Sequence, residues 1–136
     1  MGVAENKAVV LELFRAMGEG RLQDIARLTT EDATWWINGS GAWSGERPIS
    51  VFLEVARGFL AHALAPMEKT FGAIVAEGDW VCLEARGRTT FEGGLAYDNA
   101  AIFLLTLREG RVESVREYMD TAHAELFDGF VPGGTA

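Results

Sequence analysis

An α+β fold is predicted for this chain, a bent antiparallel sheet cupping N-terminal helices as an open cone. Three observations point to it. Apolar residues recur at helical spacing through the first half. Long β-prone runs fill the second half. Those runs are joined by connections of two to four residues rich in Gly, the signature of antiparallel hairpins in a meander. Helices first and strands afterwards is the α+β order. A sheet this long relative to its helices has to twist and bend around them, which leaves a pocket on its concave side.

Each element has its own signal. Val10, Leu13, Phe14 and Met17 form one helical stripe, and Gly18 and Gly20 stop it. Leu22, Ile25 and Ala26 give a short second helix ending near Thr29 and Thr30. A brief strand, 33–38, carries two adjacent tryptophans. Residues 39–45, with three glycines and two serines, read as a loop. Pro48 suits the first turn of a third helix whose stripe is Phe52, Val55, Ala56 and Phe59. Four strands follow at 67–77, 80–91, 95–107 and 111–119. A short helix is expected from 121 to 127. Gly129, Pro132, Gly133 and Gly134 suggest a loose tail.

The chain's 136 residues make one domain, with a core spanning about 5–127, and a chain of this length buries roughly two-thirds of its unfolded surface. The net charge of −8 disfavours nucleic acid and anionic membrane as partners, because both demand clustered Lys and Arg. Cys82 is the single cysteine, so no intrachain disulfide forms, and a buried inert thiol is expected. With two histidines beside it, no metal site and no cofactor are expected. Met1 to Asn6 lacks the basic and apolar regions of a signal peptide, and the apolar run 100–105 is too short to span a bilayer. A cytoplasmic location is the corresponding expectation.

The residues that draw attention are on the last strand. Alternation puts Val115, Glu117 and Met119 on one face and Arg116, Tyr118 and Asp120 on the other. An acid between Val and Met is either at a wet edge or in a dry cavity. On the strand two before, Glu84 and Arg86 share a face with Trp80, Cys82 and Arg88. If that face is concave, Glu84, Arg86 and Glu117 converge, and an arginine between two acids separates their pKa values for acid–base work. The alternative is an ion pair on a solvated face. Tyr97 and Asn99 share a face with Ala101 and Phe103, where Asn99 can orient a carbonyl or a water and Phe103 forms an apolar wall. They can equally be a polar pair at a strand end. Of Trp35 and Trp36, one should be core and the other should line the pocket, where Trp36 would join Asn38, or a contact surface; core packing alone can equally explain both. Trp43, on the Gly-Ser loop, either closes a mouth or anchors the loop.

The order of elements resembles the nuclear-transport-factor-2-like superfamily, whose fold is the cystatin-like α+β barrel. Glu31-Asp32-Ala33-Thr34-Trp35 resembles that family's entry to its first strand. Glu109-Gly110-Arg111-Val112 followed by Arg116-Glu117-Tyr118-Met119-Asp120 resembles the ending of SnoaL-like and ketosteroid-isomerase-like members. The same ending is similar to that of limonene-epoxide hydrolases, and Glu117 falls on their base. Glu84-Ala85-Arg86 falls on their acid–arginine pair with the order inverted, and Trp36 and Asn38 fall on their water-positioning Tyr and Asn. The catalytic acids of ketosteroid isomerases fall instead near Ile37 or Asn38 and near Ala101 or Ile102, so steroid isomerisation by that mechanism is not implied.

The function implied is a cofactor-free enzyme for a small apolar molecule of about ten to twenty heavy atoms. Glu117, Arg86 and Glu84 would be the catalytic residues. Trp36, Asn38, Tyr97, Asn99, Phe103 and Met119 would contact substrate. Hydrolysis, isomerisation, cyclisation and dehydration remain open, because one superfold hosts them all. Two alternatives stand beside it: a binding protein without turnover, and a dimerisation module. The uncovered half-apolar face around Arg116 and Tyr118 implies a homodimer through the sheet.

Overall fold

A computed structural model describes residues 2–133, which form helices over one bent six-stranded sheet. Helix α1 (Val3–Glu19) ends where Gly20 turns left-handed, with φ 69°, and donates its N–H back to the last carbonyls. Helix α2 (Leu22–Leu28) runs directly into β1 (Thr29–Ile37). Strand β2 (Gly45–Pro48) precedes α3 (Ile49–Leu60). The meander is β3 (Glu68–Glu77), β4 (Trp80–Phe91), β5 (Leu95–Arg108) and β6 (Arg111–Met119), followed by α4 (Thr121–Glu125).

The strand order is β2-β1-β6-β5-β4-β3. The meander is antiparallel throughout, as its turns require. Strand β1 runs parallel to β6, because it reaches that edge through the whole meander rather than through a hairpin. Pairing in β4–β5 runs without a break from Trp80↔Thr106 to Phe91↔Leu95.

Odd-numbered residues of β4 and β5 face the helices. Val81, Leu83, Ala85, Phe103 and Leu105 are buried there with Val112 and Val115 of β6 and Trp35 and Ile37 of β1. Helix α1 covers this face with Val10, Leu13 and Phe14, and α3 covers it with Phe52 and Phe59. The even-numbered face is convex and uncovered. It carries Trp80, Ile102 and Tyr118, all exposed.

Several expectations change. Residues 45–48 form an edge strand on β1, with Trp35 opposite Arg47. Arg47 also donates to the carbonyls of Trp43 and Ala42, at 2.7 and 3.0 Å, and pins the Gly-Ser loop. Trp43 is therefore core, packed on Phe52 and Phe59, rather than a mouth-closing residue. The tail is not loose as far as residue 133, while Gly134 lies outside the described residues. Val131 is buried, and Pro132 sits over Gly58, where a Cβ would stand 2.5 Å from its Cγ. Cys82 is half-buried on the convex face, because the odd residues of β4 are the inward ones.

Candidate functional site

Glu117 enters the cone from β6, between Ile37 of β1 and Phe103 of β5 in the register. Its carboxyl accepts a hydrogen bond from Trp35 Nε1 at 2.9 Å. Trp35 is fixed in turn by a parallel stack on Phe52, with ring centroids 4.0 Å apart. The apolar ring thus supplies one polar atom to the one acid beside it. Glu117 is half-buried because a cavity of about 60 Å³ reaches it. Elsewhere protein crowds the carboxyl. Burial pushes its pKa above the ordinary carboxylate range, opposed by the Lys69 cation and by the Trp35 N–H.

Lys69, on β3, acts on this acid through its charge, and the two form no contact ion pair. The residue as a whole is exposed, because β3 is the edge strand. Its ammonium turns inward, 5.8 Å from the centroid of the Phe14 ring and 5.7 Å from that of Phe103. Burial lowers the Lys69 pKa, and the charge of Glu117 only partly restores it. Gly87 stands opposite Lys69 and makes room for Met67. A Cβ there would lie 3.1 Å from Met67 Sδ and 4.0 Å from Lys69 Cε.

Tyr97, Asn99, Ala101 and Phe103 line the same cavity along β5, with Met119 from β6 and Met67 at the opposite wall. Burial raises the Tyr97 phenol pKa, the Glu117 charge raises it further, and the neighbouring Asn99 opposes the rise. Tyr97 is thus held as a neutral donor. Asn99 is buried and ties down the chain after β6. Its amide donates to the Asp120 carbonyl at 3.1 Å, and its carbonyl accepts from Asp120 N–H at 3.1 Å.

The structure brings Glu117, Tyr97, Asn99, Phe103 and Met119 together. It does not bring Glu84 and Arg86 to them. Both belong to the even residues of β4, which point outward because Val81, Leu83 and Ala85 take the core. The Arg86 guanidinium makes two hydrogen bonds of 2.7 Å to Asp98 on the convex side, although the residue borders the cavity. The Glu84 carboxylate lies over Gly72. Trp36 also points outward, with the Arg116 guanidinium 4.1 Å above its ring and Tyr118 edge-on at 5.2 Å. Asn38 clamps the backbone of Met119, at 3.1 and 3.3 Å, instead of lining the cavity.

Lys69 is the residue that sequence reasoning missed. Its strand contains a register shift between Phe71 and Ile74, which breaks the alternation that would have revealed its face. The sequence leaves open which of Trp35 and Trp36 turns inward, and nothing in it signals the Trp35 N–H on Glu117. Among the described residues, no group of three His, Cys, Asp or Glu is placed to hold a metal ion. No helix among the described residues is long and apolar enough to cross a membrane.

A larger opening of about 510 Å³ lies between α2, β1 and α3, lined by Ile25, Ala33, Ile49 and Leu53. Its charged residues, Glu31, Glu54 and Arg57, are all exposed. It offers apolar contact without a desolvated acid or base, so the chemistry concentrates at Glu117.

A curved, unclosed six-stranded sheet under N-terminal helices defines a class of small α+β domains, the cystatin-like fold. The chain belongs to the SnoaL-like domain family, whose model matches residues 10–125. Among solved structures it is similar to an NTF2-like protein from Burkholderia xenovorans LB400, with 24% identity over 90% of this chain and 95% of that one and a TM-score of 0.73. It is similar to IdmH, a candidate polyketide cyclase from Streptomyces antibioticus, with 22% identity, 89% and 97% coverage and a TM-score of 0.73. A candidate SnoaL-like polyketide cyclase from Jannaschia sp. CCS1 matches with 19% identity, 90% coverage of both chains and a TM-score of 0.76. At these identities the likeness shows the fold. No curated protein matches the sequence.

Proposed function

We propose that this protein is a small-molecule enzyme of SnoaL-like type, in which Glu117 takes and returns a proton inside the cone. The observation that carries this reading is the desolvated carboxyl of Glu117 on the cavity, oriented by Trp35 and faced by Lys69 and Tyr97. A carboxyl raised above its ordinary range is a stronger base once ionised and a usable acid before that. The Tyr97 hydroxyl is the neutral donor for an oxygen on which charge develops. Lys69 tunes Glu117 in the role expected of Arg86. Phe103 and Met119 supply apolar contact.

The cavity also narrows the substrate. A space of about 60 Å³ admits a reactive end of a few heavy atoms, well below the volume a molecule of drug size fills. A larger substrate enters only if Met67 and Lys69, the flexible side chains at the wall, swing aside. Support for the reaction class comes from family membership and from the likeness to two candidate polyketide cyclases. Hydrolysis, isomerisation and cyclisation all use this proton transfer.

The test is Glu117→Gln on a panel of epoxides, enones and polyketide-like ketones that the parent turns over. The amide keeps the shape and the Trp35 contact and loses the base. Turnover should fall by about 10²–10⁴-fold with substrate affinity nearly unchanged. Normal turnover by the variant would make Glu117 structural.

A further inference from the structure

The chain has ten arginines and only two lysines, Lys7 and Lys69. Every ion pair among the described residues that uses a long cation uses arginine. The lysine that faces the cavity is thus the one long side chain there that can lose its charge and become a nucleophile, which arginine cannot. It lies over two aromatic rings and within the field of the one desolvated acid.

We propose that Lys69 captures a small aldehyde or ketone in the cone as an imine, with Glu117 moving the protons, so that the substrate class of this site is a small carbonyl compound. The inference rests on the reading of Glu117 as the proton-transfer group. The Nζ lone pair attacks the carbonyl carbon, and the carbonyl π electrons pass to oxygen. That oxygen takes the proton of the Glu117 carboxyl, and the nitrogen gives one back to the carboxylate, leaving a carbinolamine. The hydroxyl then departs as water with the Glu117 proton while the nitrogen lone pair forms the C=N bond. One amine, one carbonyl and the Glu117 proton give one protonated imine, one water and the Glu117 carboxylate, and nothing is oxidised or reduced.

Proton removal follows from the same geometry. A protonated imine withdraws electrons from the neighbouring carbon, and the Glu117 carboxylate takes a proton from that carbon to leave an enamine. Reprotonation at carbon and hydrolysis by water release the product and restore the amine. Burial in the cone favours the uncharged amine, which is the form that attacks the carbonyl.

The experiment incubates the folded full chain with propanal and sodium cyanoborohydride, and maps the reduced adduct by peptide mass spectrometry. Lys7, which does not border the cavity, is the internal reference. Lys69 should be labelled faster than Lys7 by about tenfold or more. Glu117→Gln should slow labelling at Lys69 and leave Lys7 unchanged. Labelling of Lys69 no faster than Lys7 overturns the imine, even where Glu117→Gln has abolished turnover and the proton-transfer reading stands. Preferential labelling of Lys69 that Glu117→Gln does not slow overturns the part given to Glu117. Lys69→Arg keeps the cation and should remove only the Lys69 adduct. If it also suppresses the Lys7 adduct, the label reports global structure and the proposal fails.

Discussion

Glu117 shows how much one position can reveal and how much its neighbours conceal. Its place between Val115 and Met119 marked an acid on an apolar face, and the structure puts it on the cavity. Its partners were not legible in the same way. Glu84 and Arg86 were set beside it through a family pattern. Yet the local sequence already carried the opposite phase, because Val81, Leu83 and Ala85 are the apolar alternation of β4. Trp35 and Trp36 are adjacent in sequence, and composition alone does not say which one reaches inward. The pKa of Glu117 follows from these neighbours. Burial raises it, while the Lys69 charge and the Trp35 N–H lower it. Removing either neighbour should therefore raise it further. Trp35→Phe keeps most of the stack on Phe52 and deletes the 2.9 Å hydrogen bond. The Glu117 titration, read by NMR, should move upward in that variant.

At the scale of elements, the hairpins were the most readable part. Their turns hold Gly78, Gly93 and Gly110, all with positive φ, and each sits between alternating runs. The edge strand β2 was hidden because Gly45–Pro48 is short and ends in proline, which suits a helix start as well as a strand edge. Lys69 was hidden by the irregularity in β3. Gly and Pro in the tail suggest looseness, whereas Pro132 fits against the bare backbone of Gly58. Gly58→Ala adds a methyl to a helix, which favours helix formation. Here the methyl would strike Pro132 at 2.5 Å. The clash should win and lower stability by about 1–3 kcal/mol in chemical denaturation. A stability gain would mean that the tail does not pack on α3.

The whole molecule has one covered face and one bare one. Helices occupy the concave side, and the convex side leaves Trp80, Ile102 and Tyr118 exposed beside the Trp36–Arg116 pair. We propose that a second copy of the chain covers this face, since an apolar sheet surface of this kind seldom stays open to water. Light scattering at micromolar concentration should give twice the chain mass. Ile102→Asp with Tyr118→Asp should return the monomer without unfolding it. A monomeric parent would contradict the proposal and leave the cone's chemistry untouched, because no residue of the Glu117 site lies on that face.

The claim that Glu117 is a desolvated acid under the field of the Lys69 charge is tested most directly by carboxyl-carbon NMR titration of Glu117, with its resonance assigned through Glu117→Gln. In the parent, Glu117 should titrate above the ordinary carboxylate range, and Lys69→Met should move it higher still, because the cation that favours the carboxylate is gone. An ordinary titration, unchanged when Lys69 becomes Met, would contradict the claim.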